Sequence, residues 1–106
     1  MEARLREVLL LVEPPIHAAW LFGSMAKGTD QSGSDIDVMI VRDDLTMAQL
    51  LERLHPLEMS LGRKINPTLY SIAEFERRNA DPASFVNKVL SGPVIPIIQP
   101  EEQRDA

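Results

Sequence analysis

The chain has 106 residues, 44% of them apolar, a formal net charge of −5 and no cysteine. That length holds one hydrophobic core and so one domain, and the acidic balance speaks against a broad nucleic-acid surface, which needs a basic stripe. Without cysteine, disulfides and thiolate chemistry are excluded, and any metal must be held by oxygen or nitrogen, which suits a hard cation.

No apolar run approaches the length of a membrane span, and the first residues carry Glu2, Arg4, Arg6 and Glu7 rather than a signal-peptide pattern. A soluble, cytoplasmic protein is expected. In chain order, residues 2–12 read as an amphipathic helix, with Leu5, Val8, Leu9 and Val12 at helical spacing and Glu13-Pro14-Pro15 as its stop. Residues 16–22 read as a strand. Ile16, Ala18, Trp20 and Phe22 fall on one face and His17, Ala19 and Leu21 on the other, which implies a strand covered on both sides. Trp20 is assigned to core packing and His17 to a partly buried structural position.

Residues 24–27 fit one or two helical turns after Gly23, with Gly28 as a left-handed stop and residues 29–34 as a polar loop. Residues 35–41 form a second strand, Ile36, Val38 and Ile40 on one side and Asp35, Asp37, Met39 and Val41 on the other; Arg42, Asp43 and Asp44 make its exit turn. Thr46 opens the next helix with a capping box to Gln49. Leu50, Leu51 and Leu54 form its stripe. His55-Pro56 is expected to break or kink it, with His55 as a surface cap, and a further turn carries Leu57 and Leu61 to Gly62.

Residues 64–70 are a third strand, in which Pro67, lacking a donor, predicts an edge or an irregularity. A second capping box, Ser71 to Glu74, opens a short helix with Ile72 and Phe75. Asp81 as cap and Pro82 at the first position start another, with Phe85, Val86, Val89 and Leu90 as its buried face and Gly92-Pro93 as its end. Residues 94–98 add a short strand weakened by Pro96. The expected domain is 1–98, followed by a polar tail over 99–106. The element pattern gives an α/β (α+β) fold: a small mixed β-sheet packed with helices.

The chemistry is concentrated between Gly23 and Val41. Asp35 and Asp37 share a strand face; two such carboxylates repel and persist where a cation sits between them, a divalent metal being the usual one. Gly23 lets a ligand approach the backbone closely, and amides at the start of the helix that follows can receive a phosphate. Ser24 can cap that helix and hold the phosphate in one geometry. Lys27 either reaches the phosphates or lies exposed. Metal carboxylates beside a phosphate cradle point to a nucleoside triphosphate.

This stretch resembles the signature of the nucleotidyltransferase superfamily that includes DNA polymerase beta and kanamycin nucleotidyltransferase: Gly-Ser, a small helix with a basic residue and a glycine, then Asp-x-Asp on a strand. Gly23, Ser24, Lys27, Gly28, Ser34, Asp35 and Asp37 match it. The similarity continues through Gly62-Arg63-Lys64-Ile65-Asn66-Pro67-Thr68-Leu69-Tyr70 to Gly92-Pro93, and so covers most of the chain. It is to the small nucleotidyltransferase-like domains attached to winged-helix regulators or paired with a separate helical partner. The resemblance implies a nucleotidyltransferase-like fold, catalytic Asp35 and Asp37 holding Mg²⁺ (or Mn²⁺), nucleotide binding by Gly23, Ser24, Lys27 and Ser34, and ATP as the triphosphate. It also implies a partner protein, a helical toxin-like chain or a DNA-binding regulator.

Active members of the superfamily carry a third carboxylate on the following strand, and the resemblance places Asn66 there. An amide offers an oxygen but neither a charge nor a base at neutral pH. Glu58 could substitute only by reaching over from the preceding helix, which the tight distance demand disfavours. Two readings therefore stand side by side: nucleotidyl transfer to a hydroxyl acceptor, which the partner could supply, and a weakened nucleotide-binding module that regulates the partner. A third, an interaction protein without a ligand, is disfavoured by the retained Asp pair.

Overall fold

The computed structural model describes residues 2–11, 16–23 and 35–99. Strand β1 (Ala18–Phe22) pairs antiparallel with β2 (Ile36–Val41), and β2 pairs parallel with β3 (Ile65–Tyr70). Strand β4 (Ile95–Ile98) pairs antiparallel with the other side of β1, so the order is β3-β2-β1-β4. Helices α1 (Glu2–Leu10), α2 (Met47–Leu61), α3 (Ile72–Asn79) and α4 (Phe85–Ser91) cover this mixed sheet. The expected short helix over 24–27, the loop over 29–34 and nearly all of the tail lie outside the described residues.

The two central strands alternate as their sequences dictate. Ala19, Leu21, Ile36, Val38 and Ile40 meet Leu5 and Leu9 of α1 and Leu50, Leu54 and Leu57 of α2 on one face. Ala18, Met39 and Val41 meet Phe75 of α3 and Val86 of α4 on the other. Each buried Leu contributes about 1.5–3 kcal/mol of transfer free energy, and cover on both sides explains why both strands are apolar at nearly every position. Trp20 is a packing residue: its ring stacks on Phe75, centroids 5.3 Å apart at 17°.

The prolines sit where a sheet tolerates them, on the edges. The Ile36 N–H donates to the Lys64 carbonyl at 2.8 Å, and Ile36 is in register with Ile65. In a parallel ladder this turns the backbone nitrogens of residues 65 and 67 outward. Glu58 Oε2 accepts from the Ile65 N–H at 2.7 Å, and Pro67 has no N–H to leave unpaired. Glu58 is thereby committed to the sheet edge.

Several local expectations need correction. Helix α1 stops at Leu10, and Leu11 lies in the turn beyond it. Ile16 precedes β1 and packs with Ala19 and Leu21, not with Ala18. Helix α2 runs unbroken through Pro56, so His55 is an exposed mid-helix residue and not a cap. Pro56 and Glu52 are both exposed, so water can serve the Glu52 carbonyl that loses its helical donor. Leu51 is exposed, because burial follows Leu50, Leu54 and Leu57 at i, i+4 and i+7. The N-cap of α4 is Ser84, not Asp81; Asp81 Oδ1 instead accepts from the Ala83 N–H at 2.9 Å. Phe85 consequently opens the helix half-exposed instead of joining its buried face.

Candidate functional site

The candidate site follows from strand directions. Because β1 runs antiparallel to β2 and β3 runs parallel to it, the end of β1 meets the starts of β2 and β3 at one end of the sheet. The register places Asp37 between Phe22 on one side and Asn66 on the other. Directly paired residues project to the same face, so Asp37 and Asn66 lie on the face covered by α3 and α4.

Asp35 is exposed and sits one residue before β2. Its Oδ2 accepts from Asn66 Nδ2 at 3.0 Å. Asn66 thus bonds one carboxylate and is the register partner of the other, and Asp35 and Asp37 share a face as the two-residue period requires. Asp37 is half-buried against Gly23, whose φ is +73°. A Cβ built at Gly23 would lie 2.6 Å from Asp37 Oδ2, so a side chain there would push the carboxylate aside. Gly23 is therefore favoured by its left-handed backbone, and any side chain in its place would displace the Asp37 carboxylate. Ser24, Lys27 and Ser34 lie outside the described residues.

The structure brings together Gly23, Asp35, Asp37 and Asn66. Among the described residues, no group of three or more His, Cys, Asp or Glu side chains gathers as a metal would need. Two carboxylates still offer hard oxygen donors to a divalent cation, and the glycine leaves the backbone open beside them.

Two features escaped the sequence reading. Lys64 is exposed, and its carbonyl bond to Ile36 holds a basic residue at this sheet end. A cavity of about 250 Å³ also adjoins Gly23, lined by Phe22, Phe85, Lys88, Val89 and Pro93 as well as Gly23 itself. The Phe85 ring meets Phe22 edge-on, centroids 5.8 Å apart at 77°. The signal was present as Phe85, Lys88 and Val89 at i, i+3 and i+4, one helix face that reads as core until Lys88 is weighed.

The family model for polymerase beta nucleotidyltransferases matches residues 8–91. The chain belongs to that nucleotidyltransferase family. Its fold is shared with solved structures of toxin–antitoxin proteins. One, a toxin–antitoxin with AMP-PNP, superposes with a TM-score of 0.68 at 21% identity, covering 96% of this chain and 76% of the other. A mutant of the pair MntA–HpeT gives 0.68 at 19% identity, covering 97% and 77%. The tri-AMPylated HEPN toxin of Shewanella oneidensis in complex with MNT antitoxin gives 0.60 at 19%, covering 96% and 72%. These likenesses speak for the nucleotidyltransferase fold. No curated protein matches the chain in sequence. Among the described residues, no helix is long and apolar enough to cross a membrane.

Proposed function

We propose that this nucleotidyltransferase domain binds a magnesium-bound nucleoside triphosphate, ATP, and transfers its nucleotidyl group to a hydroxyl on a partner protein. The observation that carries the reading is the closure of Asp37 on Gly23, with Asp35 held to the same face through Asn66. Structures of the same fold that hold AMP-PNP or an AMPylated toxin support the choice of ATP and of a protein acceptor.

In the reaction, the acceptor oxygen forms a bond to the α-phosphorus, the bond from that phosphorus to the pyrophosphate oxygen breaks, pyrophosphate leaves and the hydroxyl's proton passes to a carboxylate at the start of β2 and on to solvent. Asp35 and Asp37 would hold Mg²⁺ (or Mn²⁺). When bound, such a cation offsets phosphate charge and polarises the phosphorus. Gly23 gives a phosphate oxygen access to the backbone. Ser24, Lys27 and Ser34 join the nucleotide contacts on sequence pattern alone. Asn66 orients Asp35 and cannot take the acceptor's proton, which leaves Asp35 and Asp37 as the carboxylates at that end of β2.

Asn66 also favours a second reading, a nucleotide-binding module that regulates its partner without turnover. ATP labelled at the α-phosphate, incubated with Mg²⁺, the protein and cell extract, separates the two. Label transferred to a protein and abolished by Asp35→Ala supports transfer. Saturable binding without transfer supports the module, and no binding to any triphosphate defeats both.

A further inference from the structure

We infer that the cavity between the end of β1 and α4 is the subsite for the purine base of the triphosphate, with Phe85 as its stacking wall and Lys88 as its polar contact. This rests on the nucleotide reading above and adds to it where the base goes and what selects it.

The cavity begins where the carboxylate site ends. Gly23 is common to both: it abuts Asp37 Oδ2 and also lines the cavity. At about 250 Å³ the space falls below the roughly 300–1,000 Å³ of pockets that hold whole small molecules, so it takes one part of a ligand whose remainder lies outside. A triphosphate seated at Gly23 and Asp37 has one flat, apolar-faced part to place there. The lining matches that part. Phe22, Phe85, Val89 and Pro93 supply apolar wall, and Lys88, whose side chain carries a cation, stands among the lining residues.

Phe85 is the residue whose state calls for an explanation. It is 51% exposed, although it opens a helix whose neighbour Val86 is fully buried. The Ser84 cap, whose Oγ accepts from the Asn87 N–H at 3.0 Å, sets where its helix begins, and the ring rests edge-on against Phe22. A phenyl ring held in place with half its surface open is a ready stacking platform for a π-face. Lys88 and Val89 follow on the same helical face. The ammonium of Lys88 only donates, so the base must present an acceptor, such as the N7 of a purine. A purine also covers more of the Phe85 ring than a pyrimidine does.

Calorimetric titration of the whole chain in Mg²⁺ with ATP, CTP and inorganic tripolyphosphate tests this. For the native protein, ATP binds tightest, by about tenfold over tripolyphosphate, the scale of one base–aromatic stack. Phe85→Ala removes that advantage and leaves tripolyphosphate binding unchanged; Phe85→Trp keeps it. Lys88→Met lowers ATP affinity without lowering that of tripolyphosphate. Equal ATP affinity in the native protein and Phe85→Ala, with both ligands bound, overturns the subsite and leaves the nucleotide reading standing. Equal loss of ATP and tripolyphosphate in Phe85→Ala also overturns it, since the ring then acts on the phosphates or on the fold. Native protein that binds neither ligand overturns both.

Discussion

Asp37 leans on Gly23 so closely that a Cβ there would stand 2.6 Å from Oδ2. Gly62 has nearly the same backbone, φ +66° against +73°, but no atom within 4 Å of its own Cβ position. The two glycines therefore separate backbone strain from side-chain displacement. Gly62→Ala should cost about 1–2 kcal/mol in urea unfolding, the usual penalty of a left-handed residue, and leave nucleotide binding intact. Gly23→Ala should cost at least as much and also lose binding, because Asp37 must swing away. Equal binding by the two variants would remove Asp37 from the site.

Asn66 is the residue that the sequence resemblance sets where a third carboxylate would stand. Its amide donates to Asp35 at 3.0 Å, so Asn66→Asp would replace an attraction by two carboxylates in contact. In chelator, thermal unfolding of Asn66→Asp should fall below that of the native protein. Added Mg²⁺ should raise it by more than it raises the native protein, since three carboxylates hold a cation better than two. A Mg²⁺ shift no larger than the native one would mean that residue 66 does not face the cation.

Much of this was legible because it rests on short-range rules. The period of two separated Ala19 and Leu21 from Ala18 and Trp20, and placed Asp35 with Asp37. The missing donor of Pro67 marked an edge strand, and Thr46 with Gln49 marked a helix start that the structure completes with both reciprocal bonds. What failed depended on competition between similar signals. Asp81 and Ser84 are both good caps, and only the turn that Asp81 closes on Ala83 decides for Ser84. That shift in the start of α4 turned Phe85 outward and hid the cavity. The bond from Asn66 to Asp35 joins residues 31 apart, and no local rule reports it.

The apolar side of α2 gives a direct check on packing. Leu54 is 1% exposed and Leu51 45% exposed, although they are separated by less than one turn. Leu54→Ala should cost about 2–5 kcal/mol, from lost transfer energy and the cavity left between α2 and the sheet. Leu51→Ala should stay within about 0.5 kcal/mol, as a surface change does. Urea unfolding of both variants distinguishes them. A large loss at Leu51 would mean that this flank of α2 is covered in solution, by a partner or a second copy.

Pro56 interrupts α2 without ending it, and the reason bears on stability. A proline inside a helix costs about 3 kcal/mol relative to alanine, through its absent N–H and the crowding of the carbonyl four residues earlier. It recovers part of that by restricting the unfolded chain, about 0.4–1 kcal/mol. Neighbouring Leu54 and Leu57 are buried on the sheet, and this packing carries the helix across the defect. Pro56→Ala should therefore stabilise the protein by about 2 kcal/mol and raise its melting temperature by roughly 8–12 °C. Pro56 lies on the face opposite the Asp35–Asn66 pair, so the same variant should bind nucleotide as the native protein does. A fall in stability would show that the proline shapes how α2 meets the sheet.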